Sequence, residues 1–228
     1  MHGVYAKSTM AKWAWTILHS LAIFTVGWLL LGSGLAHLPA WLQPDAAAGN
    51  HLRRWLLFCC SLVLFIRMII TGFVFLRRKF GWDEAVVVAI WLWIIHLTFA
   101  LLGGKESSPV GWVDGVALAL FLLGSYLNTA SEWQRHRFKK RPEHQGRLFT
   151  DGWFRYSMHI NYFGDLVWAT GFALLTHSPW AFLIPLIMLL GFQFYQIPIL
   201  DRYLSQRYGE EFEVYAATTN KLFPSFKR

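Results

Sequence analysis

Long apolar runs separated by short polar segments dominate the chain. An apolar helix of about 20 residues is long enough to span the hydrocarbon core of a bilayer. Four apolar runs precede the one sizeable polar segment, residues 131–159, and two follow it. The runs are Trp13–Leu38, Trp55–Leu76, Ala85–Leu102, Val110–Ala130, Phe163–Leu175 and Trp180–Leu200. We therefore predict an all-α integral membrane protein with six to seven transmembrane helices.

The first run and the last two have features that refine this prediction. The first run lacks the small-residue cleavage pattern of a signal peptide, so we predict a retained helix. The last two runs are separated only by the residues Thr-His-Ser-Pro at 176–179, which predicts a C-terminal helical hairpin. The first arm of this hairpin has about thirteen residues, which is short for a full span.

Basic residues follow the second, fourth and sixth runs, as Arg77–Lys79, as seven Lys and Arg within 131–159, and as a basic tail. Because cytoplasmic loops are enriched in Lys and Arg, we predict that both termini face the cytoplasm. Arg53 and Arg54 then fall on the outer side, where we expect their side chains to extend toward lipid headgroups. A bacterial inner membrane or an endoplasmic-reticulum type of membrane suits this arrangement.

Composition agrees with a membrane location and excludes several classes of site. The chain is 55% hydrophobic, 18% aromatic and only 15% charged, which is unlike a soluble domain. Its formal charge of +8 comes from basic residues that flank apolar runs, so anionic lipids explain it without nucleic acid. Cys59 and Cys60 are neighbours in an apolar run, which predicts neither a disulfide nor a metal site. No P-loop motif or dinucleotide-binding glycine motif occurs.

Two clusters of polar side chains lie on either side of the basic segment. Within each cluster the residues repeat at spacings of three or four, so in a helix they share a face. The clusters are Asn128, Glu132 and Arg135, and then His159, Asn161, Tyr162 and Asp165. Ionisable groups at membrane depth are costly and usually face a cavity or a partner, so a polar pocket on the cytoplasmic side is expected. The alternative is that these residues only mark the membrane interface.

The basic segment between the clusters offers groups that bind phosphate. Arg presents a planar fork to phosphate oxygens and Lys presents a point charge. Arg135, Arg137 and Lys140 are the candidates for this contact. Together with the polar pocket they suit an anionic nucleotide cofactor.

Three motifs stand in order within about the last hundred residues, from Leu127 to Pro224. They read LNTASEWQRHRFKK, GRLFTDGWFRYSMHINYFGDLVWATGFAL and DRYLSQRYGEEFEVYAATTNKLFP. Together they resemble the steroid 5-alpha-reductase-like membrane family, and HINYFGD is also similar to a motif of the sterol C14- and C24-reductases. This resemblance implies that NADPH lies in a cytoplasm-facing cavity among the C-terminal helices. It also implies reduction of an activated carbon–carbon double bond in a lipid.

The resemblance assigns roles to particular residues. Asn128 and Glu132 match the family's N-x-x-S-[DE] motif, and the segment 161–165 matches its NYFG-[DE] motif. The closing motif falls on Tyr215 and Pro224. With the basic candidates, the expected cofactor-binding set is Asn128, Glu132, Arg135, Arg137, Lys140, His159, Asn161, Tyr162, Asp165, Arg202 and Tyr215.

Residues outside the resemblance supply the remaining catalytic candidates. Arg67 and His96 lie deep in the second and third runs, where an arginine costs ~3 kcal/mol on insertion scales. Reduction of an enone needs a group that polarises the carbonyl oxygen and a proton donor. Arg67, His96 and Tyr162 are the candidates for these roles. The alternative is structural, with Arg67 bonded to a helix carbonyl and His96 to a core partner.

Two other functions remain open alongside the reductase. The isoprenylcysteine carboxyl methyltransferases also resemble this chain, through an RHPxYxG motif and a paired-Glu motif that bind S-adenosylmethionine. The corresponding stretch here, MHINYFG, lacks the Arg before His159 and the Pro after it. We therefore expect an NADPH-dependent reductase, with the methyltransferase as the alternative and a non-enzymatic scaffold or transporter as a third possibility.

This interpretation divides one structural domain into two functional portions. Residues 1–125 form the N-terminal transmembrane helices on the substrate side, and residues 126–228 form the cofactor-binding portion. The expected partners are a lipid-like small molecule and the membrane lipids. The pattern leaves the particular lipid and the oligomeric state open.

Overall fold

The computed structural model describes residues 8–39 and 49–226 of the chain. Within these residues the regular structure is entirely helical, which confirms the predicted all-α class. Single turns of 3₁₀ helix occur at Gly34–His37, Pro142–His144, Gly152–Arg155 and Pro179–Phe182, and π turns at Thr71–Phe75 and Phe192–Gln196. The α-helices are α1 (Thr9–Leu31), α2 (His51–Ile70), α3 (Trp82–Gly103), α4 (Trp112–Lys140), α5 (Ile160–Leu175), α6 (Leu183–Gly191), α7 (Ile197–Tyr208) and α8 (Glu210–Thr218).

Five helical segments in the described part of the chain are long and apolar enough to cross a membrane. They are Thr9–Leu31, His51–Phe75, Trp82–Gly103, Trp112–Lys140 and Pro179–Tyr208. The remaining apolar run forms α5, whose 16 residues fall short of the roughly 20 that a full span needs. The chain is therefore a helical integral membrane protein, with a short first arm in its C-terminal hairpin. The cytoplasmic location of the termini stays a prediction, and residues 1–7 and 227–228 lie outside the described residues.

The chain divides into two compact units, and the boundaries between these units fall inside helices. The first unit comprises Met1–Phe121 and Thr170–Ile184, and the second comprises Leu122–Ala169 and Pro185–Arg228. Helices α4, α5 and α6 therefore contribute residues to both units. The functional boundary at residue 125 rests on motif coverage alone and stays a prediction.

In the first unit, small side chains let α1 and α3 pack closely. Ala85 and Ala89 lie four residues apart on α3, and both are buried in a cluster that includes Ala11 and Trp15 of α1. Lipid tails are as apolar as these side chains, so helices associate in a membrane mainly through close packing of this kind. The small residues thus let α1 and α3 approach each other closely in the first unit.

Arg53 corrects one expectation from the sequence. Its side chain is fully buried in the first unit, and its Nη2 atom donates to both carboxylate oxygens of Asp114, at 3.0 Å each. Its Nη1 atom donates to the carbonyl oxygen of Ser108 at 2.8 Å. Arg53 therefore does not extend toward lipid headgroups, because Asp114 already neutralises its charge inside the protein.

In the second unit, α4 and α5 cross at two glycines whose backbones touch. A Cβ atom on Gly124 would lie 2.2 Å from the backbone nitrogen of Trp168 and 2.5 Å from the carbonyl oxygen of Gly164. A Cβ atom on Gly164 would lie 2.7 Å from the backbone nitrogen of Asn128. Only glycine permits this approach, which brings the polar face of α4 against the first turns of α5.

Replacing Gly124 by alanine should destabilise the protein. The added methyl group would overlap backbone atoms of α5, and overpacking of this kind costs roughly 1–3 kcal/mol. Gly115→Ala is the matched control on the same helix, because its Cβ would meet nothing within 4 Å. We expect a lower melting temperature in detergent for Gly124→Ala only. Equal melting temperatures for the two variants would contradict the close crossing.

Candidate functional site

The predicted polar faces of α4 and α5 meet in the second unit through two amide–carboxylate pairs. Asn128 on α4 donates from Nδ2 to Oδ1 of Asp165 at 2.9 Å and to the carbonyl oxygen of Asn161 at 3.1 Å. Asn161 on α5 donates from Nδ2 to Oε1 of Glu132 at 2.9 Å. Each helix thus contributes one amide and one carboxylate to the other, which joins the residues of two separate motifs.

Further donors complete the hydrogen bonding of these two carboxylates. One Nη2 atom of Arg135 lies 2.5 Å from each oxygen of Glu132, and its guanidinium lies over the ring of Phe154, 5.4 Å from the centroid. The indole nitrogen of Trp168 donates to Asp165 at 2.7 Å. Because both carboxylates have donors inside the protein, their burial beside apolar helices is compensated. The sequence analysis did not identify Trp168, which lies one turn beyond the motif.

His159 lies at the entrance to α5 and contacts an acid that the sequence analysis missed. Its Nε2 atom lies 2.8 Å from Oδ1 of Asp201 on α7, and Oδ2 of Asp201 lies 3.0 Å from Nζ of Lys221. The predicted cofactor residue Arg202 is the next residue along α7, and its side chain is exposed. Asp201, rather than the predicted Arg202, therefore contacts His159.

Aromatic rings extend the site from His159 toward the second arm of the hairpin. The His159 and Tyr162 rings stack with centroids 5.6 Å apart and planes 11° apart, and Tyr162 stacks on Phe192 at 4.6 Å and 10°. Phe192 begins the π turn Phe192–Gln196. Pro198 follows closely and has no N–H to donate to the preceding turn, which accounts for the widened helix here. Widened turns of this kind occur often at functional sites.

The tail after α8 runs beside the segment that precedes α5. Backbone hydrogen bonds connect the two, so the tail holds the start of α5 in place. The hydroxyl of Ser157 adds a bond to the carbonyl oxygen of Leu222 at 2.8 Å. The backbone bonds run from Met158 N to Asn220 O at 2.8 Å, from His159 N to Lys221 O at 2.9 Å, and from Ser225 N to Tyr156 O at 3.0 Å.

A cavity of about 440 Å³ lies between this tail and the segment that precedes α5. Its polar and aromatic lining includes Asp151, Arg155, Tyr156, Tyr215, Asn220 and Ser225. A second cavity of about 480 Å³, lined by Glu210 and Glu211, shares Tyr215 with the first. The first cavity therefore has a carboxylate and a guanidinium in its lining, and the second has two further carboxylates.

Tyr215 is the one predicted cofactor residue that lines these cavities. Its hydroxyl donates to the carbonyl oxygen of Phe154 at 2.6 Å. Burial raises the pKa of Tyr215 above its usual value, against a smaller opposing effect of the Arg135 guanidinium. The phenol therefore stays protonated at neutral pH and serves as a hydrogen-bond donor.

The other predicted residues occupy different environments. Arg137 and Lys140 are exposed on the last turns of α4, and neither lines the two cavities. Arg67 is buried on α2, and His96 on α3 shares a hydrogen bond of 2.9 Å with His19, between their Nε2 atoms. Arg67 and His96 both belong to the first unit. Their catalytic role stays a prediction, and the His96 contact agrees with the structural alternative.

Comparison with known families places the chain in a group without an assigned function. A family model described as "Protein of unknown function (DUF1295)" matches residues 85–219, which is more than half of the chain. The chain belongs to the DUF1295 family. This membership is compatible with the steroid 5-alpha-reductase-like resemblance of the C-terminal motifs.

Similar curated proteins carry methyltransferase names. The chain is 30% identical over 134 residues to a "Probable protein-S-isoprenylcysteine O-methyltransferase" of Oryza sativa, which covers 57% of this chain and 70% of the rice protein. It is 27% identical over 110 residues to "Protein-S-isoprenylcysteine O-methyltransferase B" of Arabidopsis thaliana, which covers 46% of this chain and 56% of that protein. These relatives support the methyltransferase alternative more than the expected reductase, and they give no support to NADPH.

The buried carboxylate of Glu132 should matter more for stability than a comparable acid elsewhere. Glu132→Gln removes a charge that Arg135 and Asn161 both contact, and losing such charge-assisted bonds costs roughly 1–3 kcal/mol. Glu84→Gln is the control, because Glu84 also pairs with an arginine, Arg78, but its side chain is 31% exposed against 11% for Glu132. We expect a clearly larger drop in melting temperature for Glu132→Gln. An equal drop would show that the site's ion pair has no special role.

Proposed function

We propose that this chain is a membrane-embedded methyltransferase that uses S-adenosylmethionine and acts on a carboxyl group of a lipid-like substrate. The observation that carries the proposal is the 30% identity, over 70% of its length, to a rice protein named as an isoprenylcysteine O-methyltransferase. By analogy with that name, the substrate is a carboxylate attached to an isoprenoid-like chain. The apolar spans of this chain suit a substrate that arrives from the bilayer.

The chemistry of the first cavity supports this cofactor. Its volume of about 440 Å³ lies within the roughly 300–1,000 Å³ of small-molecule sites. The Asp151 carboxylate can accept hydrogen bonds from ribose hydroxyls, and the Arg155 guanidinium suits the cofactor's own carboxylate. The Tyr156 ring offers a stacking surface for a purine. S-adenosylmethionine, when bound, supplies an electrophilic methyl group.

The chain's own residues have defined tasks in this proposal. Asp151, Arg155 and Tyr156 bind the cofactor, and the Tyr215 hydroxyl fixes the cavity wall through its bond to Phe154. Glu132 joins α4 to α5 by accepting from Asn161, and Arg135 pairs with Glu132 within α4. A carboxylate acceptor is already ionised at neutral pH, so no general base is needed to activate it.

A reductase is the second candidate, and one specific observation favours it. The residues that the reductase resemblance singles out, Asn128, Glu132, Asn161 and Asp165, contact one another in this fold. The expected phosphate-binding groups weigh on the other side. Arg135 is paired with Glu132, while Arg137 and Lys140 line neither described cavity.

Ligand-dependent thermal stability separates these candidates. A ligand that binds only the folded state stabilises it by about 2.7 kcal/mol at a hundredfold excess over its dissociation constant. We expect the detergent-purified protein to melt at a higher temperature with S-adenosylmethionine and unchanged with NADPH or NADH. A shift with NADPH alone would instead establish the reductase candidate.

Arginine variants locate the ligand. Arg155→Met should weaken the shift with S-adenosylmethionine, because Arg155 lines the cavity. Arg141→Met is the matched control, because its side chain is exposed and outside the cavity lining. Arg137→Met tests the reductase candidate and should matter only if NADPH binds. A normal shift in Arg155→Met would remove the cavity from the proposal.

A further inference from the structure

The turn Gly152–Arg155 carries the two charged side chains that line the first cavity. Asp151 precedes the turn and Arg155 ends it. Their opposite charges stand four residues apart, yet within residues 8–39 and 49–226 neither side chain forms an ion pair. The Arg155 guanidinium lies instead over the ring of Tyr156, 5.5 Å from its centroid. The conformation of the turn therefore decides how these two groups are placed along the cavity wall.

A side chain of α4 holds the start of this turn. The Oε1 atom of Gln134 accepts a hydrogen bond from the backbone nitrogen of Trp153 at 3.0 Å. Trp153 is the second residue of the turn. Gln134 itself is half-buried and is not in the lining of either described cavity. Any effect of Gln134 on a ligand in the first cavity therefore passes through the turn.

Gly152 leaves the space that the Gln134 amide occupies. Its φ of +62° lies in the left-handed region that favours glycine, and a Cβ atom there would lie 2.2 Å from Oε1 of Gln134. Gly146 also has a positive φ, of 79°, but its Cβ would meet nothing within 4 Å. Gly152 is therefore required both by its backbone conformation and by the neighbouring amide.

The later part of the turn is held from other directions. The Tyr215 hydroxyl donates to the carbonyl oxygen of Phe154 at 2.6 Å, and the backbone nitrogen of Ser225 donates to the carbonyl oxygen of Tyr156 at 3.0 Å. Neither of these bonds reaches the beginning of the turn. The placement of Asp151 beside the cavity thus depends on the contact between Gln134 and Trp153.

We propose that Gln134 is a positioning residue for the cofactor, because its bond to Trp153 fixes the turn in the conformation in which Asp151 and Arg155 meet S-adenosylmethionine. The inference rests on the proposed function for the identity of this cofactor. A preformed site does not lose affinity to the ordering of its own backbone when the ligand binds. Loss of the Gln134 contact should therefore lower the affinity for the cofactor in protein that is still folded.

The contact can be tested without any ligand. Hydrogen exchange of the Trp153 backbone amide is measured by NMR of protein labelled with nitrogen-15 tryptophan in detergent, and Trp153→Phe assigns the signal. We expect slow exchange in the wild-type chain and in Gln134→Glu, whose carboxylate still accepts, and fast exchange in Gln134→Leu. Fast exchange in the wild-type chain would overturn the inference even if no variant folded. Equal rates in the wild-type chain and Gln134→Leu would also overturn it.

The affinity for S-adenosylmethionine then separates a positioning role from a purely structural one. We expect Gln134→Leu to bind about tenfold more weakly, as for one lost hydrogen bond, and Gln134→Glu to restore the wild-type affinity. Gln206→Leu is the matched control, because Gln206 is exposed on α7 and lines neither cavity. A lower melting temperature of Gln134→Leu with unchanged affinity of the folded protein would refute the positioning role.

Gly152→Ala reaches the same contact from the other side. Its methyl group should displace the Gln134 amide and weaken binding, whereas Gly146→Ala should bind normally and controls for the strain of a positive φ. Because both changes break one contact, the double variant with Gln134→Leu should bind no more weakly than Gln134→Leu alone. Additive losses would contradict the shared contact.

The binding measurements also distinguish failure of this inference from failure of the proposed function. Equal affinities of Gln134→Leu and wild type for S-adenosylmethionine would refute the role of Gln134 and leave the proposed function intact. No binding of S-adenosylmethionine to the wild-type protein, with slow exchange at Trp153, would refute the proposed function and the positioning role that rests on it.

Discussion

The contact between the backbones of α4 and α5 at Gly124 and Gly164 is the constraint on which the candidate site depends. Two helices with ordinary side chains at this crossing would be held apart, beyond the reach of the short amides. At the observed distance Asn128 reaches Asp165, and Asn161 reaches Glu132. Gly164, the glycine of the NYFGD motif, thus has a packing role at the helix crossing. It is part of the motif because the polar residues around it must meet another helix.

Compensation of charge inside the protein is the second principle of this structure. Four acids illustrate it, since Asp114 pairs with Arg53, Glu132 with Arg135, and Asp201 with Lys221, while Asp165 accepts from Asn128 and Trp168. An unpaired charge in such an apolar chain would cost several kcal/mol. Pairing therefore lets the protein keep ionised groups at helix ends where a polar ligand could be bound.

The sequence predicted the parts of this fold that depend on local periodicity. Run lengths indicated the helices, and spacings of three and four residues indicated which of Asn128, Glu132, Asn161 and Asp165 share a face. It did not predict which individual residues distant in the chain pair with one another. Arg53 and Asp114 are 61 residues apart, and His159 and Asp201 are 42 apart. The sequence predicted a site role for Arg202, whereas its neighbour Asp201 contacts His159. Adjacent residues on a helix point about 100° apart, and only packing decides which one faces inward.

The departures from the methyltransferase motif have a physical explanation in the packing. Met158 stands where that motif has arginine, and it is buried against Phe212 and Tyr215. Ile160 stands where the motif has proline, and it is buried against Phe149 and Phe154. Both substitutions face apolar clusters, whereas the intervening His159 keeps its polar contact with Asp201. The segment therefore keeps the histidine, tyrosine and glycine of that motif at 159, 162 and 164, and apolar packing stands in place of its arginine and proline.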